Sequence, residues 1–122
     1  MSDKKEKLKQ NLVNARLMSE SEELLEFVQS SHFDNIGPIG KWKQGWAYFT
    51  DKKFISAFGL LGQSICIPYS NIKAIGTCTQ FLLPMGIIIT YTNPENGKEI
   101  RKRFSMTNRK KWINLLKEKA GI

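Results

Sequence analysis

The sequence predicts a mainly β domain: about seven short antiparallel strands, a closing C-terminal α-helix, and an extra helix at the N-terminus. Three observations carry this. From Lys41 to Ser105, alternating or apolar runs are repeatedly broken by glycine, proline or asparagine. Asn96-Gly97 separates a β-branched run from an alternating one, which is a hairpin signal. After Ser105, Trp112, Leu115, Leu116 and Ala120 form one stripe at helical spacing, with no glycine before Gly121.

Residues 3–18 read as a helix, with Leu8, Leu12, Ala15 and Met18 at spacings of three and four. Ser19-Glu20-Ser21 breaks it. Residues 22–31 (EELLEFVQSS) allow two readings: Ser21 with Glu22 and Glu23 can start a helix, whereas Leu25 and Phe27 alternating around Glu26 suit a strand. NIGPIG, residues 35–40, is expected to be a loop. In KWKQGWAYFT, residues 41–50, Trp42, Trp46, Tyr48 and Thr50 alternate with Lys41, Lys43 and Ala47, and Gly45 suggests a bulge or sharp bend. Asp51-Lys52 is a turn. KFISAF, residues 53–58, puts Phe54, Ser56 and Phe58 on one face and Ile55 and Ala57 on the other.

Gly59 to Gly62 is a hairpin tip, and residues 63–67 return from it. Pro68 cannot donate to a central ladder, so it fits where the chain leaves a sheet. Tyr69-Ser70-Asn71 supplies the corner. Residues 72–80 and 85–92 are strands, the second β-branched enough for burial on both faces, and residues 93–97 form a hairpin turn. Residues 98–105 pair back, with Ile100 and Phe104 inward. Residues 107–119 are the closing helix, with Thr107 or Asn108 able to cap it.

At 122 residues the chain is one folding unit, divided here into a helical extension, residues 1–20, and a β domain, residues 21–122. Its first ten residues, MSDKKEKLKQ, do not resemble a signal peptide, so none is expected, and its longest apolar run, FLLPMGIII, is too short for a bilayer span of ~20 residues. A cytoplasmic location is the resulting expectation. Cys66 and Cys78 are the two cysteines and His32 the one histidine, so no zinc site, disulfide framework or cofactor is expected. Between residues 40 and 97 the acids are Asp51 and Glu95, both in turns, and nothing marks a nucleophile. Enzymatic chemistry is not expected.

The net charge of +8 is uneven. Residues 1–39 carry five basic and seven acidic side chains, residues 40–97 five and two, and residues 98–122 nine and two. The last quarter therefore attracts anions whatever the fold. Arg101, Arg103, Arg109 and Lys110 form the candidate anion patch, although solvated strand and helix faces account for most such clusters.

Three motifs in order resemble a known family. GWAYFTDKKFISA resembles the glycine-aromatic strand, Thr-Asp-Lys turn and aromatic strand of GRAM and bacterial PH domains. SICIPYSNIKAI resembles that family's Ile-Pro-Tyr-Ser-Asp-Ile segment, with Asn71 where an aspartate is common. RKKWINLLKE resembles its closing helix, whose tryptophan plugs the barrel. The resemblance spans about residues 22–119. It implies a pleckstrin-homology-like barrel of two orthogonal antiparallel sheets, a strand over residues 22–31, and structural roles for Pro68, Tyr69 and Trp112. Residues 3–18 lie outside it.

Members of the wider superfamily serve as lipid or protein adaptors. The expectation is a non-enzymatic interaction module, mediating contact with a partner protein or self-association. The candidate contacts are two apolar tips, Phe58, Leu60 and Leu61, and Phe81, Leu82 and Leu83, since two exposed apolar tips are a liability in a monomer. The alternative is a peripheral membrane module that binds anionic phospholipid through Lys41, Lys43 and the Phe58–Leu61 loop, each cation near the surface being worth about 1 kcal/mol. Nucleic acid is disfavoured, because the aromatics are expected to fill a closed barrel rather than an open sheet face.

Overall fold

The computed structural model describes residues 2–36, 39–58, 63–80 and 83–122, with backbone alone for residues 2, 3, 34–36, 39–41 and 80. The elements run α1 (Ser2–Asn14), β1 (Leu24–Ile36), β2 (Ile39–Thr50), β3 (Lys53–Phe58), β4 (Gln63–Pro68), a 3-10 turn (Tyr69–Asn71), β5 (Ile72–Gln80), β6 (Leu83–Thr92), β7 (Glu99–Met106) and α2 (Arg109–Ala120). Residues 22–31 are thus largely strand. The loop expected at 35–40 shrinks, because β1 runs to Ile36 and β2 starts at Ile39. The expected tip at Gly59–Gly62 lies outside the described residues.

All pairings are antiparallel, in the order β4-β3-β2-β1-β7-β6-β5. The two expected halves are one continuous sheet, joined where Ser30–Phe33 of β1 face Met106–Arg103 of β7. The inward faces share one core: Phe49, Phe54, Ile67, Ile87, Ile89 and Phe104 are fully buried there, with α2 supplying Trp112 and Leu116. The Trp112 ring stacks on Phe49, with centroids 5.0 Å apart and planes at 10°. Its Nε1 donates to the Thr107 carbonyl at 2.8 Å. β6 is buried on one face, not two: Ile87, Ile89 and Tyr91 point inward, while Ile88 and Thr90 are half-exposed.

The corner after β4 is tied down by side chains. Tyr69 donates from its hydroxyl to the Thr50 carbonyl at 2.7 Å, and Asn71 donates from Nδ2 to the Thr92 carbonyl at 2.8 Å. Pro68 is the last residue of β4, as its missing donor requires. Gly97 takes φ +71° in the β6–β7 turn.

α1 ends earlier than its sequence reading and α2 starts later, while Gly121 stops α2 as expected. α1 stops at Asn14, and Arg16 adopts φ 61°. The Leu17 amide then bonds the Leu12 carbonyl and the Arg16 amide that of Val13, a Schellman closure that turns the chain. Met18 still reaches the small second core of Leu12, Leu24 and Ile55. Asn108 precedes α2 at φ 57° and makes no side-chain cap bond. At the other end Gly121 closes α2 at φ 73°.

Glu22 anchors the entry to β1. It is only 4% exposed. It accepts hydrogen bonds from the Ser19 amide at 3.0 Å and the Thr50 hydroxyl at 2.8 Å, and it pairs with Lys53 at 3.2 Å. Burial alone would raise its pKa, but the bonds from Ser19, Thr50 and Lys53 together with the Lys53 charge hold it below the usual carboxylate value. A depressed folded pKa gives stability that is present above the unfolded pKa and fades as pH falls through the folded one. Glu22→Gln should cost about 1–3 kcal/mol at neutral pH. Urea midpoints of parent and variant should converge as the pH is lowered below the normal glutamate range; a constant gap would contradict this network.

Candidate interaction face

Alternation along β2 places Trp42, Trp46 and Tyr48 on the outside. Ala47 and Phe49 are buried inward, so Trp42, Gln44, Trp46 and Tyr48 point outward. The expectation that the aromatics fill the barrel therefore fails for these three. The register decides it. Phe49 lies opposite Phe54, which is buried in the main core, and the residues one position away must face the other side. Tyr48 is half-covered by the second core under α1, next to Ile55 and Cys66. Trp46 extends past α1 and is 44% exposed.

Outward neighbours on β1 complete this face. Trp46 stands opposite Gln29 and contacts Phe27, with ring centroids 6.4 Å apart. Phe33 stands opposite Trp42 at 5.1 Å. Cations already cover two of these rings: Lys4 lies 5.4 Å from the Phe27 centroid and Arg103 lies 5.3 Å from that of Phe33.

A notch of about 330 Å³ opens beside this face. Gln29 and Gln44 bring amides to it, and Ser31, Ser105 and Thr107 bring hydroxyls. Leu83 and Met85, at the start of β6, form its apolar side. Leu83 is 52% exposed; with Trp46 and Ile122 it is one of the exposed large apolar side chains among the described residues. Leu83 lines the notch directly, and Trp46 neighbours it through Gln29, which lies opposite Trp46 and lines the same notch. Trp46 was not distinguishable from a core aromatic by residue type, and the notch depends on pairings distant in sequence.

The sequence-derived candidates are distributed as follows. Phe58 is turned inward and only 8% exposed, its ring 4.2 Å from that of buried His32. This inward turn does not fit its expected role at an exposed tip. The Phe54-Ser56-Phe58 parity puts all three on the core side. Leu60, Leu61, Phe81 and Leu82 lie outside the described residues, as does the Lys41 side chain. Lys43 donates to Gln63 Oε1 at 3.1 Å, so it reaches the start of β4.

The candidate anion patch divides. Arg101 and Arg103 are exposed on the outer side of β7, and Lys110 is exposed in the first turn of α2. Arg109 instead donates to the carbonyls of Cys78 and Gly86 at 3.0 and 3.3 Å, which pins α2 across β5 and β6. Cys66 and Cys78 are both half-buried, and burial pushes each thiol up; at Cys78, Arg103 and Arg109 pull the other way. Among the described residues no group of three histidine, cysteine, aspartate or glutamate side chains could hold a metal ion. No helix among them is long and apolar enough to cross a membrane.

No known family profile matches the chain, and no curated protein does. Solved structures do. The C-terminal domain of an unknown protein from Leishmania infantum superposes with a TM-score of 0.66 at 14% identity, covering 96% of this chain and 97% of that one. The Vps36 N-terminal PH domain gives 0.62 at 14% identity, covering 86% and 83%. The hSac2 domain of the human phosphoinositide phosphatase Sac2 gives 0.63 at 11% identity, covering 93% and 82%. At such low identity the likeness is one of architecture, and with seven antiparallel strands closed by α2 it establishes a pleckstrin-homology-like fold.

Proposed function

We propose that this chain is a non-enzymatic interaction module of GRAM type that contacts a partner protein through the face around Trp46 and Leu83. The observation that carries this is the pair itself: two large exposed apolar side chains on separate strands, Leu83 lining the notch and Trp46 opposite Gln29, which lines it too. Exposed aromatic and aliphatic anchors beside a polar recess suit the hot spot and rim of a protein contact. Both side chains sit on paired strands, Trp46 on β2 beside β1 and Leu83 on β6 beside β5.

The membrane reading keeps its motive in the net charge of +8, with Lys41 and Lys43 as its cations. Affinity capture from the source cell separates the two readings. The parent chain should retain a protein that a Trp46→Ala Leu83→Asp double variant loses. Equal capture by both chains would contradict the site. Sedimentation with phosphatidylserine vesicles at low salt, abolished by Lys41→Glu Lys43→Glu and unaffected by the double variant, would favour the lipid reading instead.

A further inference from the structure

β7 stops short of both its neighbours. Its last pairing with β1 is Met106 opposite Ser30, and its last with β6 is Ser105 opposite Gly86. β1 extends beyond that point to Leu24, and β6 begins at Leu83. The notch is therefore a gap in the sheet where a strand has ended between two that continue. From this geometry we infer that the notch receives a short extended segment of a partner protein, one carrying carboxylate side chains beside a large apolar one. This rests on the protein-contact reading above and names the partner's chemistry.

Three features select that occupant. The floor offers neutral groups that both donate and accept, the amides of Gln29 and Gln44 and the hydroxyl of Ser31. Each peptide unit presents one donor and one acceptor, so an extended backbone suits such a floor. The volume is at the small end of the range for ligand sites, roughly 300–1,000 Å³, which limits the occupant to a few residues. Exposed cations sit close by along β7 and α2. Arg103 lies two residues before Ser105 on the outer side of β7, and Lys110 follows Thr107 by three. Among the described residues no carboxylate lines the notch, and Glu26 on β1 is paired with Lys111 at 3.9 Å.

Other polymers fit less well. Single-stranded nucleic acid stacks its bases on aromatic faces, and among the described residues no aromatic lines the notch. A membrane meets convex apolar tips, not a recess floored by amides and hydroxyls. A second copy of a chain with net charge +8 would bring like charge against Arg103.

Selection from a displayed library of random short peptides tests this, with parent chain, Arg103→Glu and Leu83→Asp as targets. Both substitutions are at exposed side chains, and their melting curves verify that each variant is folded. The parent should enrich peptides with Asp or Glu next to Leu, Ile or Phe. A labelled enriched peptide should bind each variant at least ~10-fold more weakly, as truncating one side of a charged or apolar contact does. Enrichment of basic peptides, no enrichment, binding that Arg103→Glu leaves unchanged, or displacement of the peptide by oligothymidylate or by phosphatidylserine vesicles would overturn the inference. If no acidic peptide is enriched while a captured cellular protein still depends on Trp46 and Leu83, the inference falls and the protein-contact reading stands. If that capture also fails, both fall.

Discussion

Trp112→Ala is expected to lower stability by about 3–5 kcal/mol, the cost of emptying a buried indole site. The ring is the main apolar group α2 inserts beside Leu116, and it lies flat on Phe49. Its loss removes the stack, leaves a cavity at the end of the core, and deletes the bond from Nε1 to the Thr107 carbonyl. At this chain length each kcal/mol corresponds to roughly 3–5 °C, so the melting temperature should fall by more than about 10 °C. Trp112→Phe should recover part of this, because it keeps most of the stacking area and loses the donor. If the alanine variant melted within a degree or two of the parent, α2 would not be closing the core.

Gly45→Ala is expected to have the next largest effect. A Cβ at this position would lie 1.9 Å from the Ala57 carbonyl oxygen and 2.7 Å from the Phe58 Cα. Both obstacles are backbone of the paired strand β3 and cannot rotate away. The sequence suggested a bulge or bend here. The register instead runs without a shift through Ser30, Gly45 and Phe58, and the glycine serves the close approach of β3. Overpacking usually costs about 1–3 kcal/mol, and a clash against backbone on this scale belongs at or above the top of that range. Equilibrium unfolding in urea should show a much lower midpoint with an unchanged slope. A variant as stable as the parent would mean that β2 and β3 can separate at Gly45 at little cost.

Much of the fold was legible because its signals are local. Pro68 reports its missing donor, Asn96-Gly97 its turn, and the Trp112-Leu115-Leu116 stripe its helix, all within a few residues. β3 was legible for the same reason, since its alternation has two distinguishable faces. β2 was not, because aromatic residues occupy both of its faces. Trp42, Trp46 and Tyr48 look as core-like as Phe49 until pairing with β1 and β3 fixes which side is inward. Even then the outward side is only partly exposed, since α1 covers Tyr48 and Ile55 but stops before Trp46.

The candidate site was less legible still. The notch exists because β7 ends at Met106 between two longer neighbours, and no stretch of sequence contains that information. Arg109 shows the same limit from the other side. It belongs to a basic run, RKK, yet its guanidinium holds two strand carbonyls, while Lys110 beside it stands in solvent. Charge counts cannot separate these two roles, but positions in the fold do.

Amide hydrogen exchange of the chain with its captured partner protein bound tests the central claim most directly. The account predicts slowed exchange in three segments, Gln29–Ser31 and Gln44–Trp46 on paired strands and Leu83–Met85 across the notch from them. Exchange slowed only around residues 41–43 and 59–62, with those three segments unchanged, would contradict it.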